Sequence, residues 1–165
     1  MTPRPRPGSL PALTAAQRLR QVANALNGST VLGLVVAVAA RTELSRGPRG
    51  LILAAGYRWR VPFAGAFTLG NVVLCRCSAP RLLARPALLG HEEKHCSQYA
   101  LCAGLPFIPL YLLAAGWSQL RTGNPGTGNV FERRAGLEAG GYPASGKTRR
   151  TPDPALPRGA GRIEV

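Results

Sequence analysis

Hydrophobic and polar positions along the chain change period several times, and each change marks a predicted element. Residues 56–61 alternate, with Tyr57, Trp59 and Val61 on one side and Arg58 and Arg60 on the other. That period of two predicts a strand. A second strand is predicted over 68–77, which carries Val72, Val73, Leu74 and Cys75. The turn residues at 62–65 would join the two into a small antiparallel sheet. A helix is predicted over 86–103, because Pro86 suits a first turn, Ala87, Leu88 and Leu89 follow, and Gly104 with Pro106 supplies the stop. One stripe of that helix collects Leu88, His91, His95, Gln98, Tyr99 and Cys102.

Two apolar stretches raise the question of a membrane. Residues 30–40 are uncharged and mostly apolar behind an arginine-containing leader, while Asn24, Asn27 and Ser29 spoil a full span. The pattern is that of an anchor-like or signal-like core. Residues 99–117 contain no charge, but Gly104, Pro106 and Pro109 interrupt them. They are predicted as two helices meeting at a turn, the second over 106–120, apolar on all sides and therefore buried or facing lipid. After a loop over 122–128, Asn129 is a good N-cap, and a short helix is expected to run from it to the stop at Gly140 and Gly141. The fold class expected is α+β, a small antiparallel hairpin or sheet beside a helical half.

At 165 residues, 45% of them apolar, the chain is long enough for one core. The expected organisation is a disordered Pro/Arg-rich start (1–14), an apolar N-terminal segment (15–45), the main domain (46–142) and a disordered basic tail (143–165). The net charge of +14 is almost all arginine, since Lys94 and Lys147 are the only lysines. It is spread along the chain rather than clustered. That spread implies attraction to anionic surfaces, and membrane association is the expected location. No sequence-specific nucleic-acid motif accompanies it, so specific nucleic-acid binding is not expected.

The candidate chemistry lies in His91, Glu92, Glu93, Lys94 and His95, which hold both histidines of the chain. This is HExxH. Residues four apart on a helix differ by about 40° around its axis, so two imidazoles can reach one ion. Glu92, about 100° further round, can stand beside the ion as general base for a metal-bound water. Glu93 lies about 200° from His91 and is expected to be a solvated charge. A catalytic zinc takes three protein ligands and keeps one open position. The remaining carboxylates are Glu43, Glu132, Glu138, Asp153 and Glu164; Asp153 and Glu164 fall in the Pro/Gly/Arg-rich tail, which leaves downstream Glu132, the first choice, and Glu138, the second.

The stretches GHEEKHCSQY, LPFIPLYLLAAGW and NPGTGNVFERRAGLEAGGY, preceded by AFTLGNVVLC, resemble the minimal gluzincin-type metallopeptidase domains of bacteria. The resemblance covers roughly residues 67–142. It implies a zincin-like fold, His91, His95 and Glu132 as ligands of Zn²⁺, Glu92 as catalytic base, and a peptide or protein as substrate. Many gluzincins carry an aspartate one turn after the third ligand to orient a histidine. Here that position is Gly136.

A competing pattern is Cys75-x-Cys77 followed by thirteen residues and His91-xxx-His95, close to the spacing of a structural Cys₂His₂ site. One residue between the cysteines is too few for a zinc knuckle, and Pro80 and Pro86 interrupt the segment. The alternative to a hydrolase is therefore a noncatalytic metal-binding protein or a basic binding module of this kind.

Overall fold

The computed structural model describes residues 12–142. The first eleven residues and those from 143 onward, where the disordered ends are expected, lie outside the described residues. Six helices and four strands follow in the order α1 (Ala15–Leu26), α2 (Ser29–Ala39), β1 (Glu43–Arg46), β2 (Ile52–Ala55), β3 (Ala66–Leu69), β4 (Val72–Cys75), α3 (Ala79–Leu83), α4 (Pro86–Leu101), α5 (Phe107–Thr122) and α6 (Val130–Ala135). The class is α+β.

The sheet differs from the expected hairpin. Its order is β1-β2-β4-β3, and β2 runs parallel to β4 while the outer pairs are antiparallel. Residues 56–61 form no strand: their alternation belongs to a loop pinned by Arg76, whose guanidinium donates to the carbonyls of Trp59, Arg60, Pro62 and Ala64. The expected single strand over 68–77 is instead the end of β3, a tight turn and β4. Gly70 supplies φ +62° at the first turn position, the two-residue hairpin geometry that favours glycine. A Cβ there would sit 2.3 Å from the Thr30 amide, because the start of α2 rests on this turn.

Strand parity sorts the core into two layers. Leu53, Ala55, Val73 and Cys75 face α3 and α4, where Leu82, Leu89 and Cys96 complete one cluster. Ala54, Val72 and Leu74 face α2 and pack with Ala37 and Tyr57. Helix α1, opened by a capping box between Thr14 and Gln17, lies against both α2 and α4. Residues 15–45 thus pack onto the rest of the chain, and the boundary expected at 45/46 falls within β1. Among the described residues, no single helix is long and apolar enough to cross a membrane, and α1 and α2 meet at 73°.

Glu93 is not a solvated charge. Its carboxylate accepts from Arg20 at 2.8 Å and forms an ion pair with Arg49 at 2.6 Å, and the Arg20 side chain is only 6% exposed. Helical arithmetic placed it away from the metal face correctly but could not foresee that α1 covers that side. Glu93→Ala is expected to cost on the order of 3 kcal/mol, because it strands a buried guanidinium. Urea unfolding should show a lower midpoint at unchanged slope.

Candidate metal centre

Helix α4 presents its polar residues inward. His91, Glu92, His95 and Gln98 are all buried, against β3 on one side and α6 on the other. Helix α6 arrives through a loop tied by Ser118, whose hydroxyl donates to the Asn124 carbonyl and accepts from the Gly128 amide. Asn129 then caps α6 as expected, accepting from the Phe131 amide at 3.0 Å. The helix stops at Ala135 rather than at Gly140, because Gly136 turns the chain away at φ +102°. Three side chains of α4 satisfy its carbonyls: Gln98 donates to Phe131, Lys94 to Ala135 and His91 to Gly136. Those bonds lock Glu132 opposite the two imidazoles.

The three expected ligands converge. His91 Nε2 lies 3.0 Å from His95 Nε2 and 3.3 Å from Glu132 Oε2, and His95 Nε2 lies 3.5 Å from Glu132 Oε1. Zinc bonds of 2.0–2.1 Å in a tetrahedron separate ligand atoms by about 3.3–3.4 Å, so these spacings suit a single small cation. Glu138, the second choice, is not part of the convergent group. Nor are Cys75 and Cys77, which are free and lie at the end of β4, with Cys75 donating to its neighbour's carbonyl.

The hydrogen bonds decide what kind of occupant fits. His91 Nδ1 faces the Gly136 carbonyl at 3.0 Å, and a carbonyl only accepts, so the ring proton sits on Nδ1. Gln98 gives its amide hydrogen to Phe131, which turns Oε1 toward His95 Nδ1 at 2.8 Å and places that ring's proton on Nδ1 as well. Both neutral rings then aim a bare Nε2 at the other and at a carboxylate whose Oε2 is buried without a hydrogen-bond partner. A cation placed between them would satisfy all three lone pairs. His91, His95 and Glu132 form a buried group that could hold a metal ion. Comparison with protein-family models, curated proteins and solved structures gave no match.

The electrostatics agree with that demand for positive charge. Burial works against charging His95, but its contacts with Glu132, and then the nearby Glu92, outweigh it and raise its pKa. Burial likewise pushes Glu132 up, yet the close approach of His91 and His95 and the hydrogen bond from Tyr111 hold it below the usual carboxylate range. Glu92 behaves oppositely: burial dominates and raises its pKa, moderated by a hydrogen bond from Thr68 Oγ1 at 2.6 Å. A raised carboxyl pKa beside a cation site is the condition under which a carboxylate accepts a proton readily near neutrality.

Several participating residues escaped the sequence reading. Thr68 points at Glu92 because parity turns that position of β3 toward α4. Tyr111 donates to Glu132 Oε1, and its signal was a hydroxyl in the otherwise apolar first half of α5. The backbone carbonyl of Gly136 accepts from His91 Nδ1 and fixes the orientation of that ring. Gly140 lies over the His91 ring, and a Cβ there would come within 2.5 Å of Cε1. Gly140→Ala is therefore expected to displace the imidazole and weaken metal affinity about 10- to 100-fold, measurable by competition with a chromogenic chelator.

Apart from Gly136, these groups line one cleft of about 1120 Å³. Phe63 and Phe67 line one side of it, Ile108, Tyr111 and Leu112 of α5 the other, and His91, Glu92, His95 and Glu132 the floor.

Proposed function

We propose that this chain is a zinc-dependent, peptidase-like hydrolase of zincin-like fold, as its resemblance to the minimal gluzincins implied. The observation that carries the reading is the pair of Nδ1-protonated imidazoles aimed with Glu132 at one point, with the separate, unliganded carboxylate of Glu92 beside them on the cleft floor.

When bound by His91, His95 and Glu132, zinc supplies Lewis acidity toward a carbonyl oxygen and toward water. The chain's residues do the rest. Glu92 removes the proton from the attacking water and can return it to the leaving amine, its raised pKa matching both roles. The Thr68 hydroxyl fixes the carboxylate by holding Oε2, leaving Oε1 for the water. Tyr111 occupies Glu132 Oε1 and keeps that side chain turned toward the imidazoles. Apolar walls from Phe63, Phe67 and α5 exclude water from the reacting bond and favour an extended, apolar segment as substrate.

The test is hydrolysis of a mixed-sequence peptide library by zinc-loaded protein, compared with the Glu92→Gln variant. Cleavage lost while metal is retained supports the reading. Zinc-loaded wild type that cleaves nothing, or a variant as active as wild type, rejects it in favour of a noncatalytic metal-binding protein. Thr68→Val adds a finer check. Loss of its hydrogen bond raises the Glu92 pKa further, and the base must be ionised, so the acidic limb of the pH–rate profile should move to higher pH.

A further inference from the structure

Helix α5 has two apolar faces, and the cleft uses only one. Phe107, Ile108, Tyr111 and Leu112 line the site. On the outer side Leu110, Leu113, Trp117 and Leu120 follow the three–four spacing of one helical stripe and are 46%, 72%, 60% and 85% exposed. A stripe of this size on a helix without a single acidic residue has nothing within the described chain to cover it. The stripe ends in Arg121, whose guanidinium lies 5.5 Å from the centre of the Trp117 ring. An aromatic ring paired with a cation at the end of an apolar helix face suits the boundary between headgroups and acyl chains.

The charge around it selects among occupants. Twelve basic side chains of the described residues are exposed, against two exposed carboxylates, Glu43 and Glu138. The other three acids are consumed internally, Glu93 by Arg20 and Arg49, Glu92 and Glu132 on the cleft floor. Arg133 and Arg134 stand exposed on α6, which packs directly against α5. A second copy of the chain would bring like charges together at this face. An anionic bilayer answers both the apolar stripe and the basic surround.

We propose that α5 docks the protein on anionic lipid through Leu110, Leu113, Trp117 and Leu120. The opposite face of the same helix walls the cleft, so docking through this stripe leaves the cleft side of α5 turned away from the bilayer. This inference stands apart from hydrolysis, since no residue of the stripe lines the cleft.

The test uses the full chain with Trp59→Phe, which leaves Trp117 as the sole tryptophan. Mixed with vesicles of phosphatidylcholine containing about 30% phosphatidylglycerol, Trp117 emission is expected to shift to shorter wavelength, and the shift should fade in high salt. The substitutions Leu113→Ser and Leu120→Ser together should lower the vesicle-bound fraction at least about tenfold in co-sedimentation, with zinc content and near-ultraviolet circular dichroism unchanged. Three results would overturn the proposal: an unshifted Trp117, equal binding to pure phosphatidylcholine, or a stable solution dimer that the double substitution dissociates.

Discussion

Glu92→Gln is expected to retain one metal equivalent per chain and to lower peptide hydrolysis by about 10²- to 10⁴-fold, the range by which a positioned proton acceptor contributes. The side chain is buried and its Oε2 accepts from Thr68. A glutamine amide oriented with its oxygen toward Thr68 keeps that bond and nearly the same volume. What disappears is the ability to take a proton. Loss of an anion near His91 and His95 slightly disfavours a cation there, so metal affinity should drop far less than turnover. Parallel measurement of zinc content and of kcat/KM separates the two effects. A variant that loses metal as well would make Glu92 a ligand rather than a base.

The second large effect concerns the ligand set. His91→Ala and Glu132→Ala are each expected to abolish stoichiometric metal in elemental analysis, because two remaining donors cannot hold zinc against buffer. Chelation of the wild type should be destabilising too. It returns three facing lone-pair donors to a buried site, where only a proton can separate them. An ion present at about a thousand times its dissociation constant contributes roughly 4 kcal/mol, so the melting temperature should fall on the order of 10–15 °C when it is stripped. Protons compete for the same nitrogens. Because the His95 pKa is raised, that competition begins at a higher pH than for an ordinary histidine, and metal occupancy should decline as pH falls through it. A melting temperature indifferent to chelator would mean that the cluster holds no ion in solution.

These two experiments test what local pattern could and could not supply. Helix α4 was legible to within two residues, since proline, glycine and a 3.6-residue period are local signals. So was the cap at Asn129. The candidate ligands followed from chemistry and spacing, His91 and His95 from one helix and Glu132 by elimination among a small stock of carboxylates. The sheet was read less well. Tyr57, Trp59 and Val61 alternate as strand residues do, but no neighbouring strand receives them, and Arg76 gathers their carbonyls into a loop instead.

What the sequence determined by itself was the pair of imidazoles and the helix that bears them, because both depend on residues a few positions apart. Tertiary structure alone decided how those donors are held. The proton positions on both imidazoles come from carbonyl and amide oxygens at Gly136 and Gln98, the poise of Glu92 from Thr68 on β3, and the orientation of Glu132 from Tyr111 on α5. Three of these four partners lie 21 to 45 positions from the group they orient, so no periodicity along the chain could announce them. The parallel pairing of β2 with β4 and the covering of Glu93 by α1 have the same origin: both arise where separate elements pack, and packing is set by which surfaces exclude water together rather than by neighbours in sequence.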